Sequence, residues 1–135
     1  MLLAHISNKY KAELDSAIVI SMEQLRASYR VAHEHIVMRL NGRLTMLTMD
    51  QFKRAVDEAV KSTGIWKFVI DVSGADFIDS NGLGALLAAN KQAVAKGGYF
   101  RLLNTSSGLQ ETLRITRLEK VFPYYKTLEE ALSTK

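Results

Sequence analysis

The chain reads as an α/β domain: a mixed, mostly parallel β-sheet of about five strands with about four helices, preceded by an N-terminal extension. Three observations carry this reading. Apolar runs rich in β-branched and aromatic residues alternate with runs of helical period. Trp66 to Val72 is nearly continuous in apolar residues, as expected of a central strand covered on both faces. Capping and turn residues punctuate the boundaries between runs.

Residues 1–27 differ from the rest and form the extension. Tyr10, Leu14, Ile18, Met22 and Leu25 recur at helical spacing, which favours an amphipathic helix, although Ala17 to Ile20 also fits a short strand. Such a segment packs on its own domain or on a second copy, giving a homodimer. The domain proper spans residues 28–135. Tyr29 to Ala32 and His35 to Leu40 predict two strands joined by a short turn, the second ended by Asn41-Gly42. Thr48 to Gln51 has the form of a capping box. It opens a helix whose face is Met49, Phe52, Ala55, Val56, Ala59 and Val60, stopped by Ser62-Thr63-Gly64. After the strand from Trp66, an alanine-rich helix runs from Leu83 to Val94 and ends at Lys96-Gly97-Gly98. Tyr99 to Leu103 is the next strand. Ser107 to Gln110 is a second capping box, opening a helix through about Ile115. Val121 to Tyr125 is a short extended segment whose proline suits a sheet edge. Thr127 to Glu130 is a third capping box before a brief terminal helix.

With 135 residues, 47% of them hydrophobic and 24% charged, the chain has the size and composition of one globular domain. It has no cysteine, which excludes disulfides and thiolate metal sites and fits a cytoplasmic location. No apolar stretch approaches the roughly 18 residues of a membrane helix. Met1 to Ala4 is too short for a signal peptide and lacks its basic flank. The net charge of +4 comes from scattered residues without aromatic interleaving, so nucleic acid is not an expected partner.

The most informative stretch is Asp76-Phe77-Ile78-Asp79-Ser80-Asn81-Gly82-Leu83-Gly84. It joins a buried strand to a helix and places Ser80 at the junction. A serine there can cap the helix with its side-chain oxygen. It is equally well placed for phosphorylation, because the unpaired N–H groups and partial positive charge of a helix N-terminus accommodate a phosphate. Gly82 and Gly84 each cost the helix about 1 kcal/mol relative to alanine. That cost implies close approach, either of the helix to its own sheet or of a partner to this surface.

Phe68-Val69-Ile70-Asp71-Val72-Ser73, followed by Phe77 to Gly84, resembles the signature of the STAS domain, typified by bacterial anti-sigma factor antagonists. Leu118 to Pro123 and Thr127 to Leu132 are similar to the end of that domain. The resemblance covers about three-quarters of the chain, from Ser28 to Leu132. It implies a non-enzymatic partner switch without cofactor or metal. A serine kinase that doubles as an anti-sigma-like protein would bind the unmodified protein and phosphorylate Ser80. A metal-dependent serine phosphatase would restore binding. Asp79, Asn81, Gly82 and Gly84, with Gly42, Arg43 and Thr45 of the facing loop, are the implied contacts. Two departures stand out. Asn81 replaces a second hydroxyl common in the family, leaving Ser80 as the motif's only one. Gly42-Arg43-Leu44-Thr45 replaces the frequent Gly-Glu-Leu/Ile-Asp, so a partner of different charge is expected. The family also contains scaffold subunits of stressosome-like and lipid-transport assemblies, an alternative that the extension and altered loop favour.

Other chemistries are weaker. His33 and His35, two apart on a strand, would face one side without a third ligand. Asp71, Asp76 and Asp79 lack the lysine and threonine of a phospho-aspartate receiver. Gly82-x-Gly84 lacks the rest of a phosphate loop. Ile78 stands where a hydrolase elbow needs glycine. Trp66 and the phenylalanines are expected in the core, as are most of Ile78, Leu83 and Leu86.

Overall fold

The densest apolar run becomes the middle of the molecule. A computed structural model describes residues 24–133. In chain order they form β1 (Arg26–Ala32), β2 (His35–Leu44), α1 (Met49–Thr63), β3 (Lys67–Ile78), α2 (Ser80–Ala95), β4 (Tyr99–Leu103), α3 (Ser107–Ile115), β5 (Tyr124–Tyr125) and α4 (Leu128–Ser133). The sheet has the order β1-β2-β3-β4-β5. β1 and β2 are antiparallel and the other neighbours are parallel. This is the mixed, mostly parallel five-stranded sheet that the alternation of patterns predicts.

Parallel strands are added in one direction across the sheet, so crossovers of one hand place their helices on one face. On that face Phe52, Val56 and Ala59 of α1, Ala85, Leu86, Ala89 and Ala93 of α2, and Leu113 of α3 pack on Ile36, Met38, Leu40, Phe68, Ile70 and Phe100. Phe68 stacks on Phe100 with centroids 4.4 Å apart. On the other face a smaller cluster of Val37, Val69, Leu103 and Ala131 lies under α4. Phe68, Val69 and Ile70 are fully buried, as expected of a strand covered on both sides. Leu86 is fully buried too, and Ile78 and Leu83 pack against the main core.

The structure departs from the sequence reading at several boundaries. Asn41-Gly42 does not end β2. The strand continues to Leu44 through irregular register, and Gly42 has φ +113°. Asn41 and Gly42 stay paired with Gly74 and Ala75, the extra residue at each register shift falls in β3, and glycine supplies the unusual φ in β2. β3 likewise runs past Val72 to Ile78. His33 is not on a strand. With Glu34 it forms the two-residue turn of the β1–β2 hairpin, both at positive φ, whereas His35 is buried at the start of β2. The two imidazoles therefore share no face. His35 instead spends Nδ1 on the His33 carbonyl at 2.7 Å and Nε2 on the Tyr99 hydroxyl at 2.6 Å.

The capping boxes also resolve differently. Thr48 makes no side-chain cap. Its Oγ1 donates to the Arg43 carbonyl at 2.6 Å and accepts from the Thr45 N–H at 2.9 Å, while Gln51 Oε1 accepts from the Leu25 N–H at 2.9 Å. Tertiary partners outcompete the local ones. α3 is capped by Ser106, one residue earlier than expected, whose Oγ accepts from the Leu109 N–H. Thr127 does cap as expected, accepting from the Glu130 N–H at 3.2 Å. The helix expected in the extension lies outside the described residues up to residue 23. Leu25 is buried, and Arg26 and Ala27 begin β1.

Candidate functional site

The end of β3 decides where Ser80 stands. Because the strand persists to Ile78, Asp79 is the only residue between it and α2, and Asp79 becomes the N-cap. Its backbone is extended (φ −90°, ψ −177°), and Oδ1 accepts from the Gly82 N–H at 2.7 Å. The second oxygen, Oδ2, accepts a long bond from the Met46 N–H at 3.4 Å, and the Asp79 N–H donates to the Leu44 carbonyl at 3.2 Å. Asp79 thus ties the start of α2 to the loop after β2. Of the two roles open to Ser80, capping falls to Asp79 instead. Ser80 is the first residue of α2, exposed, with its hydroxyl relieved of capping.

The two glycines of the motif separate cleanly. A Cβ on Gly82 would lie 2.1 Å from the Leu44 carbonyl oxygen, so Gly82 is where the helix meets its own sheet. A Cβ on Gly84 would meet nothing within 4 Å. Gly82, expected as a contact, is buried and holds the backbone in place. Gly84 and Asn81 are exposed beside Ser80.

The facing loop divides in the same way. Gly42 is half-buried, and its missing side chain admits the Gln24 carbonyl, 2.5 Å from the Cβ position. Arg43 is half-buried with its guanidinium over the Phe77 ring, 4.8 Å from the centroid. Thr45 is buried. Its N–H donates to Thr48 Oγ1, and its own Oγ1 accepts from the Leu47 N–H at 3.1 Å, so it shapes the loop from within.

Three residues around this end escaped the sequence reading. Met46 and Leu47, in the loop after β2, and Phe77, next to last in β3, are exposed large apolar side chains. Phe77 is therefore not core, unlike Phe52, Phe68, Phe100 and Phe122. Two apolar residues between Thr45 and Thr48, where turn chemistry predicts polar ones, were the available signal. Phe77 also borders a cleft of about 300 Å³ between the end of β3 and α3, floored by Val72, Ala75, Ile78 and Leu109.

The aspartates are not gathered. Asp71 Oδ1 accepts from the Ser73 N–H and from Asn104 Nδ2, Asp76 is exposed, and Asp79 caps α2. Among the described residues no group of three or more His, Asp or Glu is placed to hold a metal, and no helix is long and apolar enough to cross a membrane.

Known proteins are similar to this chain in sequence and fold. Anti-sigma F factor antagonist of Paenibacillus polymyxa is 29% identical over 98 residues, 73% of this chain and 84% of that protein. The crystal structure of an anti-sigma factor antagonist from Mycobacterium paratuberculosis has a TM-score of 0.70 at 26% identity, covering 81% of this chain and 92% of its own. The Bacillus cell fate determinant SpoIIAA in its phosphorylated form shares the fold, with a TM-score of 0.62 at 24% identity, 79% of this chain and 96% of that one being covered. Residues 26–131, from the first strand to the last helix, match the STAS domain, and the chain belongs to that family.

Proposed function

We propose that this protein is a non-enzymatic, cytoplasmic partner switch of the anti-sigma factor antagonist type, with Ser80 as phosphoacceptor. The observation that carries the proposal is the division of labour at the start of α2. Asp79 supplies the cap, leaving Ser80 an exposed hydroxyl on a helix N-terminus. A serine kept only for capping would not leave that task to its neighbour. The Paenibacillus relative is named as an antagonist of an anti-sigma factor, and SpoIIAA is known in both unphosphorylated and phosphorylated forms.

In this reading a serine kinase with anti-sigma-like character docks over Ser80, Asn81 and Gly84, bounded by Arg43, Met46, Leu47 and Phe77. Phosphorylation adds about −1.5 to −2 charge. The helix N-terminus stabilises a negative charge by about 0.3–1 kcal/mol, so the domain keeps its fold. Against an apolar or acidic partner the same charge loses hydration, and about 1.4 kcal/mol already means a tenfold loss of affinity. A metal-dependent serine phosphatase resets the switch. Arg43 and Thr45, in place of acidic residues, fit a partner less basic at this loop than those of related antagonists.

The test is intact-mass measurement and phosphosite mapping on protein isolated from its native host, followed by capture of the kinase with Ser80→Ala as bait. A phosphoryl group on Ser80 in part of the population is the expected result. Unmodified protein under every growth condition, found in a large stable assembly, would overturn the switch in favour of a scaffold subunit.

A further inference from the structure

The seven large apolar side chains left exposed on the described residues are unevenly placed. Three of them, Met46 (61% exposed), Leu47 (49%) and Phe77 (48%), lie at the end of the sheet that carries Ser80. The chain enters the domain at the same end. Arg26 pairs with Asn41 in an antiparallel register, so the residues before Arg26 run on toward Gly42 and Arg43. Two contacts fix this entry point. The Leu25 N–H donates to Gln51 Oε1 at 2.9 Å, and the Gln24 carbonyl occupies the space where Gly42 lacks a Cβ. Leu25 itself is 6% exposed. Residue 24 is therefore anchored beside the loop that bears Met46 and Leu47.

The sequence before this anchor carries Tyr10, Leu14, Ile18 and Met22 at four-residue intervals. A helix over residues 1–23 would be about 34 Å long at 1.5 Å per residue, enough to cross one end of a small domain. The tether matters as much as the pattern. A segment joined directly to its surface meets it at an effective concentration on the order of millimolar. A face with intrinsic affinity of about 0.1 mM would then be roughly nine-tenths covered.

We propose that residues 1–23 dock their apolar side chains on Met46, Leu47 and Phe77 of the same molecule and thereby cover the Ser80 face. The segment competes with any protein that docks there. The docking stands whether or not Ser80 is a phosphoacceptor; its consequence, a threshold for kinase binding, rests on the function proposed above.

The absence of cysteine gives a direct test. Leu47→Cys places a single thiol on the covered face, and Val94→Cys places one on the exposed end of α2 as a control. Each is made in the full chain, with and without Leu14→Asp and Ile18→Asp, and the rate of labelling by a maleimide is followed over a range of protein concentrations. The expected result at Leu47→Cys is about tenfold slower labelling without the two aspartates than with them, independent of concentration. Labelling at Val94→Cys should not respond to the aspartates, which also verifies that the domain remains folded. Equal rates at Leu47→Cys would overturn the proposal. Protection that grows with protein concentration would also overturn it, identifying a second copy as the occupant. Recombinant, unphosphorylated protein suffices, so this outcome is separable from the mapping of Ser80.

Discussion

Two adjacent residues, Asp79 and Ser80, divide what the sequence assigns to one. Asp79 holds the helix, and Ser80 is left exposed at its first position. Their substitutions should therefore separate. Ser80→Ala should leave stability within about 0.5 kcal/mol, as for an exposed side chain without structural bonds. Asp79→Ala should cost about 0.5–2 kcal/mol for the lost cap. Urea unfolding of both variants checks the difference, and an equal loss in the two would reinstate Ser80 as the cap. The glycines should separate as well. Gly82→Ala forces a methyl group toward the Leu44 carbonyl and should destabilise by about 1–3 kcal/mol. Gly84→Ala enters open space and should stabilise α2 by up to about 1 kcal/mol. If Gly84 admits a close partner, that same substitution should weaken capture of the kinase while raising thermal stability.

Among the elements, the loop between β2 and α1 shows how a surface is built from within. Thr48 is almost fully buried and bridges the Arg43 carbonyl to the Thr45 N–H. Thr48→Val keeps the shape but removes both bonds of the Thr48 hydroxyl, at about 0.5–1.5 kcal/mol for each bond lost. The consequence should be local first. Hydrogen exchange of the Thr45 and Leu47 amides should accelerate more than that of the central strand, and uniform acceleration would show that the loop does not open on its own. On the opposite face, buried Arg101 donates from Nη1 to the Ala131 carbonyl at 2.6 Å and lies over the Tyr99 ring at 4.0 Å. A cation at the last turn of α4 satisfies a carbonyl the short helix cannot pair itself. Arg101→Leu should loosen residues 128–133 selectively, again measurable by amide exchange.

For the molecule as a whole, the proposed switch is expected to act without refolding. Ser80, the proposed phosphoacceptor, lies outside both hydrophobic clusters, at a helix end that favours negative charge. Ser80→Asp should thus preserve the circular dichroism spectrum and shift Tm by no more than a few degrees, while lowering affinity for the kinase at least about tenfold. A variant that kept full affinity would break the electrostatic account. Collapse of the fold would show that the site is coupled to the core. The core itself should respond quite differently: Phe100→Ala removes the ring shared by Phe68 and Phe52 and should cost about 3–5 kcal/mol.

What the sequence determined by itself was whatever depends on local period and composition. The order of strands and helices, the doubly covered strand at Phe68 to Ile70, the face of α1 and the motif bearing Ser80 were all legible. The first three follow from side-chain alternation or helical repeat within a few residues, and the motif from its own contiguous residues. Only the tertiary structure decided what depends on partners far along the chain. Thr48 and Gln51 satisfy the requirements of a capping box, yet bonds to Arg43, Thr45 and Leu25 take their side chains. Asn41-Gly42 has turn chemistry, yet pairing with Gly74 and Ala75 of β3 carries the strand through it. At the site itself β3 persists to Ile78, which hands the cap to Asp79, and the sheet meets α2 at Gly82 but not at Gly84. A buried hydrogen bond or a close backbone approach outweighs a local propensity worth a fraction of a kcal/mol, and neither is written in the residues that it overrides.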